Sequence, residues 1–262
     1  MNTLVILRNL FNNPDLFDEE QYLSTSDINV ILEALHLRKQ CGGLVSAILF
    51  AEDVEESQKT LMKAYTYGVD KAVHVAFQNF DFSRTDRLGD IIAKTIETHF
   101  TDYDLIMFGR LAYDGDAVTL ATRVSEKLHI PRVTYSENCI YNGSKMMNTK
   151  FISADRHLST CHSLPLLVHS IRKDGLRRQP YISDIISTYS EKKIIKLAGD
   201  PMEELLPSSL YRSTCDFVCD ESLAKSNAQT LTMLNGSNDM ESAQNLINLL
   251  KELGYRAKEY NQ

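Results

Sequence analysis

Asp114, Gly115 and Asp116 form an acidic, glycine-centred turn inside DLIMFGRLAYDGDAVTLATRVSEKLHIP, at 104–131. Ahead of it, Leu105-Ile106-Met107-Phe108 closes on Gly109, an apolar run that reads as a strand buried on both faces of a parallel sheet. Behind it, Ala117, Leu120, Ala121, Val124 and Leu128 recur at helical spacing, and Pro131 marks the stop. A helix that opens straight after a strand offers its first-turn N–H groups and the positive end of its dipole, a combination that favours phosphate. Thr119 and Thr122 add hydroxyls, and Gly115 suits a positive φ or a close backbone approach. The chemistry these residues point to is binding of an anion or nucleotide at the carboxyl end of the strand. A purely structural role suits the same residues, with Asp116 as a helix N-cap and Asp114 as a turn former. The unit matches neither the Walker A pattern nor GxGxxG.

Composition narrows the classes. A net charge of −7 over 262 residues argues against a nucleic-acid interface, which leaves a basic footprint. No apolar run approaches the ~20 residues that span a bilayer, so no membrane insertion is expected. The N-terminus reads as a strand rather than a leader. Cys41, Cys139, Cys161, Cys215 and Cys219 form no CxxC pair, and an odd, scattered set suits a reducing cytoplasm. No serine–histidine pair, paired carboxylates or metal-ligand spacing compels a hydrolytic or metal reading.

The elements around the turn alternate. An apolar strand at 3–7 comes first. Ser24, Thr25, Ser26 and Asp27 are dense in capping residues, with the cap expected at Ser26 or Asp27. The helix they open carries Ile28, Ile31, Leu32, Leu35 and Leu37 and ends at Gly42-Gly43. A second strand spans 44–50. Asp53 and Glu56 have capping-box spacing for a helix that stops at Gly68. A strand at 72–75 follows, then a helix capped at Ser83 or Thr85 with a buried stripe of Leu88, Ile91, Ile92, Thr95, Ile96 and Phe100. After Pro131 the period changes to that of an antiparallel hairpin, strands at 133–141 and 145–152 about Asn142-Gly143. A further strand covers 164–171, and His169 within it reads as a satisfied core or rim residue. The segment 208–213 looks like linker, and an amphipathic helix runs from about 240 to 253. The expectation is an α/β fold, a Rossmann-like, mostly parallel sheet with helices on both faces, and right-handed crossovers.

GRLAYDGDAVTLATRVSEKLHIPRVTYS resembles the signature region of the electron-transfer flavoprotein β subunits, sharing Gly109, Arg110, Ala112, the Asp114-Gly115-Asp116 triplet, Ile130-Pro131 and Val133-Thr134-Tyr135. Asp27, Glu33, Ala34, Leu35 and Leu37 match that family's first helix, and the likeness runs in order through 1–199 with an echo at 231–258. The resemblance implies a nucleotide-binding domain at 1–175. A partner-embracing arm and terminal helix follow at 176–262. It also implies an electron carrier that pairs with the family's α subunit, shares a flavin (FAD) with it, and holds AMP or a second FAD of its own. Implied nucleotide contacts are Ile6, Arg8 and Asn9 in the first loop, Ser24 to Asp27, and Phe50. Leu111, Ala112, Asp114, Gly115, Asp116, Ala117, Thr119, Leu120, Ala121 and Thr122 complete the set. Ile182 and Ile186 take the positions of a docking knob for a flavin-dependent dehydrogenase, such as one of the acyl-CoA dehydrogenase type. The chain departs from the family in its first loop, which lacks the usual Cys, Pro and Asp, and at Leu120, whose bulk replaces a glycine beside the expected phosphate. Two other readings stay open: a stand-alone adenine-nucleotide-binding regulatory module, and a degenerate paralogue with an empty nucleotide site.

Overall fold

The computed structural model describes residues 1–7, 22–78, 80–82, 84–112, 115–116, 118–153, 156–171, 179–199 and 239–252. The chain divides into two compact units, 1–212 and 213–262.

The first unit is built on a seven-stranded parallel sheet. Its strands are β1 (Thr3–Leu7), β2 (Val45–Glu52), β3 (Lys71–Phe77), β4 (Leu105–Phe108), β7 (Arg132–Ser136), β11 (Leu166–Ser170) and β12 (Ile195–Ala198). They lie in the order β12-β3-β2-β1-β4-β11-β7. β1, β4 and β11 are buried along their whole length, which is why their sequences are mostly apolar runs rather than alternating ones, with Thr3, His169 and Ser170 as the polar members. Helices α1 (Thr25–Cys41) and α2 (Glu55–Thr66) bury Val30, Ile31, Leu35 and Leu61 on one face of the sheet. Helices α3 (Thr85–His99) and α4 (Val118–Leu128) bury Ile91, Ile92, Ile96, Leu120 and Val124 on the other. This is the doubly wound α/β architecture expected from the alternation of elements. The strand order reverses between β1 and β4, so the crevice for a ligand opens at the carboxyl ends of those two strands.

Three local expectations need correction. The strand expected at 133–141 breaks at Glu137 into β7, which joins the parallel sheet beside β11, and β8 (Asn138–Tyr141). β8 pairs with β9 (Met146–Ser153), and β9 with β10 (Arg156–His162), a strand that the hairpin pattern did not announce. The break is a sheet switch: Tyr135 has a left-handed φ of 58°, and the β7–β11 register shifts beside it. Secondly, Asp53 does not cap α2. Val54 stands at the N-cap without a side-chain bond, because the Lys196 ammonium lies 2.5 Å from the Asp53 carboxylate and holds its pKa below the usual carboxylate range. Thirdly, α3 starts at Thr85 with Arg84 at its cap, and Ser83 lies outside the described residues.

Beyond residue 175, α5 (Ile182–Glu191) packs on α2, and β12 completes the parallel sheet beside β3. The α/β sheet therefore extends past the expected boundary at 175. In the second unit, helix α6 (Asp239–Glu252) stands where the amphipathic pattern placed it. The expected linker at 208–213, Cys215 and Cys219 lie outside the described residues.

Candidate functional site

The rim of the crevice is built from three pieces. Register brings Ile6 of β1 beside Phe108 of β4 and Ile48 of β2, so β1 and β4 end nearly level while β2 runs on to Glu52. Gly109 follows β4 and is buried against the first turn of α1. A Cβ there would stand 2.6 Å from the Ser26 hydroxyl and 3.2 Å from its carbonyl group. Only glycine lets the strand end and the helix start approach so closely.

The α1 cap is Ser24, not Ser26 or Asp27. Its extended backbone (φ −64°, ψ 153°) stops the helix. Its hydroxyl accepts from the Asp27 N–H at 3.0 Å and donates to an Asp27 carboxylate oxygen at 2.7 Å. Thr25 is exposed and Asp27 is buried. The positive end of the α1 dipole thus already faces a carboxylate of its own chain.

α4 is different: no acidic residue occupies its first turn. Thr119 is exposed and Thr122 partly so, whereas Leu120 and Ala121 are buried in the core shared with α3. The Leu120 side chain therefore points into the core rather than toward solvent. Leu111-Ala112 and Gly115-Asp116 pair as a two-residue antiparallel ladder, β5 and β6, immediately before α4. Asp116 lies in that ladder, one residue too early to be the residue directly preceding Val118. Asp114, Ala117, Arg8 and Asn9 lie outside the described residues. The side chains of Ile6 and Phe50 are buried on the α3 and α4 face, beneath the rim rather than on it.

Sequence reasoning missed a polar layer beside this rim. Glu33, fully buried on α1, accepts a 2.5 Å hydrogen bond from the Ser170 hydroxyl at the end of β11. Next to it, His169 Nδ1 accepts from the Tyr135 N–H at 3.3 Å, and the two rings meet edge to face at 5.2 Å. His169 is thus a buried core residue held through its Nδ1 and its ring. The available signal was Glu33 itself, a carboxylate at an apolar-stripe position of α1. Among the described residues no group of three side chains suits a metal ion, and no helix is long and apolar enough to cross a membrane.

On α5, Ile182 and Ile186 lie one turn apart, 76% and 64% exposed. Tyr189 continues their stripe, and Ile185 is half-hidden. The helix itself is held: the Tyr65 hydroxyl donates to the Lys193 carbonyl at 2.9 Å, and the Lys192 ammonium sits 5.4 Å from the Tyr65 ring centroid.

The chain resembles known proteins over most of this unit. The model of the electron transfer flavoprotein domain matches residues 17–174, more than half of the chain. An electron transfer flavoprotein subunit beta of Thermoanaerobacterium thermosaccharolyticum is 26% identical over 181 residues, 69% of this chain and 68% of that protein. Its counterpart in Bacillus subtilis is 28% identical over 218 residues, 78% of this chain and 79% of the other. The acryloyl-CoA reductase electron transfer subunit gamma of Anaerotignum propionicum is 25% identical over 236 residues, 88% and 86% of the two chains.

Proposed function

The chain belongs to the electron transfer flavoprotein family as a divergent β-subunit member, and from that premise we propose that it is the β half of a heterodimer carrying electrons from a flavin-dependent dehydrogenase to a downstream acceptor. The α subunit is the other half, and FAD is shared between the two. The flavin supplies the redox chemistry; this chain binds, orients and docks.

The second role is an adenine-nucleotide site, for AMP or a second FAD, at the crevice between β1 and β4. The observation that carries it is the asymmetry of the two helix starts meeting there. α4 opens without an acid, so phosphate is favoured at its first turn beside the Thr119 hydroxyl. α1 opens on the buried Asp27 carboxylate, which repels phosphate and suits hydrogen-bond donors of a nucleoside. Nucleotide orientation follows: phosphate toward α4, nucleoside toward Ser24 and Asp27. The burial of Leu120 supports an occupied rather than an empty site.

Docking of the dehydrogenase falls to Ile182 and Ile186. Their exposure on an anchored helix supports this, since burying such side chains concentrates binding energy. A relative named as the electron transfer subunit of an acryloyl-CoA reductase supports a dehydrogenase acting on acyl-CoA substrates. The cytoplasm is the compartment that suits this reading.

One experiment tests the whole. The chain is co-expressed with the α subunit of the same source, the complex is denatured, and released nucleotides are identified by mass spectrometry. FAD with AMP, or two FAD per heterodimer, supports the proposal and tells its two versions apart. FAD alone removes the nucleotide site, and a colourless, monomeric chain overturns the electron-carrier reading.

A further inference from the structure

We propose that a cavity at the amino ends of β1, β2 and β3, at the opposite end of these strands from the crevice, binds a small amphipathic carboxylic acid as its monoanion. The cavity has a volume of about 420 Å³, within the usual range for a small-molecule site. Leu4, Ser46, Lys71 and Val73 line it from the sheet, and His99 and Phe100 from the end of α3. Alternation along the strands puts Ser46 on the same face as Ile48 and Phe50, and Lys71 on the same face as Val73. This is the face that α3 and α4 cover, where Leu4 and Val73 join the core.

Register accounts for the space. Leu4 stands beside Ser46, and Ser46 beside Lys71, in a row across the strands. The next row is Ile6, Ile48, Val73 and Ile195, all bulky and apolar. A serine in the first row leaves volume that an aliphatic side chain would fill. It also leaves a polar group without a partner. Ser46 is only 7% exposed, and its hydroxyl makes no hydrogen bond among the described residues. Such a group costs free energy until an acceptor or donor reaches it, and the cavity is the open side from which one can. On the neighbouring strand, Lys71 is exposed and joins no ion pair among the described residues. Adjacent strands lie about 4.8 Å apart, so the Ser46 hydroxyl and the Lys71 ammonium are placed to share the two oxygens of one carboxylate.

The remaining lining selects the body of the ligand. Val73, Ile195 and Leu197 continue it from Ser46 and Lys71 with apolar side chains only, which suits a hydrocarbon tail. Asp102 lines the β1 side, where its carboxylate accepts from the Asn2 side-chain amide at 3.0 Å. The carbonyl end of α3, at His99 and Phe100, adds partial negative charge. Both oppose a second negative charge on the ligand. One ammonium and one hydroxyl therefore match a carboxylate, whereas a phosphate dianion needs more donors than this cavity offers.

The test titrates the purified full-length chain, in the complex in which it is obtained, with octanoate, octan-1-ol and inorganic phosphate. Binding is read by calorimetry and by the His99 ring signals in NMR spectra, assigned with His99→Gln. Octanoate should bind saturably, shift the His99 signals, and bind more tightly than octan-1-ol. Lys71→Met and Ser46→Ala should each weaken octanoate about tenfold, as loss of one hydrogen bond to a charged group does. Lys71→Met should leave octan-1-ol binding unchanged. Both variants should fold as wild type by circular dichroism and melting, since Lys71 is exposed and the Ser46 hydroxyl has no partner to lose. Absence of saturable octanoate binding up to about 10 mM overturns the proposal. So does octanoate binding that neither variant weakens, or octan-1-ol binding as tightly as octanoate. Phosphate shifting the His99 signals at lower concentration than octanoate overturns it in favour of an inorganic anion.

Discussion

Gly109 is the residue on which the crevice closes. A methyl group there would meet the Ser26 hydroxyl at 2.6 Å and the Ser26 carbonyl at 3.2 Å. The hydroxyl can rotate away, but the backbone of the α1 first turn has to shift. We expect Gly109→Ala to cost about 1–3 kcal/mol in urea unfolding, the range for overpacking, and to lower nucleotide retention in the purified complex. Full retention would show that α1 and β4 need not touch. Ser24→Ala should cost about 1 kcal/mol by losing the α1 cap, while Thr25→Ala, at an exposed position, should cost far less. His74 gives a pH effect of known sign. It is buried in β3, and burial is the main reason its pKa lies below the ordinary 6.5. Below that value the unfolded chain takes up a proton that the folded chain resists, so stability is full above about pH 6.5 and falls as pH drops toward the lowered folded pKa. His74→Leu should flatten that slope in melting curves between pH 5 and 7; an unchanged slope would assign the acid sensitivity to other groups.

At the scale of elements, α5 is fixed through its Thr188 and Tyr65 side while its other side faces solvent. Thr188 is buried, with Ile182 and Ile186 opposite. Ile182→Ala should therefore slow electron transfer from the dehydrogenase, read by stopped-flow, without changing flavin content or heterodimer stability. Unchanged rates across dehydrogenase concentrations, or dissociation of the heterodimer, would return Ile182 to a structural role. Elements whose signal is burial on both faces were legible: β1, β2, β3, β4 and β11 all stand within a few residues of the apolar runs that announced them. Elements whose signal is a single side-chain bond were less so. Asp53 has the spacing of a capping box, but a strand far away in sequence supplies Lys196 and takes its carboxylate. The break at Glu137 was hidden because Val133 to Tyr141 keeps a β-like composition while the chain changes sheets. β10, with exposed residues along most of its length, offers no apolar alternation to read. In the candidate site, the meeting of Ser24 to Asp27 with the end of β4 followed from topology. The Glu33–Ser170 bond did not, because its two partners lie on distant stretches of chain.

For the whole molecule, the seven-stranded sheet and the order of its strands set what can be carried and by whom. The α5 stripe and the β9–β10 ribbon leave apolar side chains in water on separate elements. The chain produced alone should therefore self-associate or stay poorly behaved in size-exclusion chromatography with light scattering, and become well behaved on co-expression with the α subunit. A sharp monomer peak with a high melting temperature would count against the heterodimer. The position of β12 carries a further consequence, for synthesis. It is the seventh strand in the sheet by chain order, yet it covers the edge of β3, made more than a hundred residues earlier, pairing Val73 with Ile195 and Val75 with Leu197. Until residue 198 has left the ribosome, β3 offers an open parallel edge of KAVHVAF, a template for any other strand nearby. A nascent chain stalled between 171 and 194 is thus the form most exposed to aggregation, and a chaperone acting on this protein has its longest task in that interval.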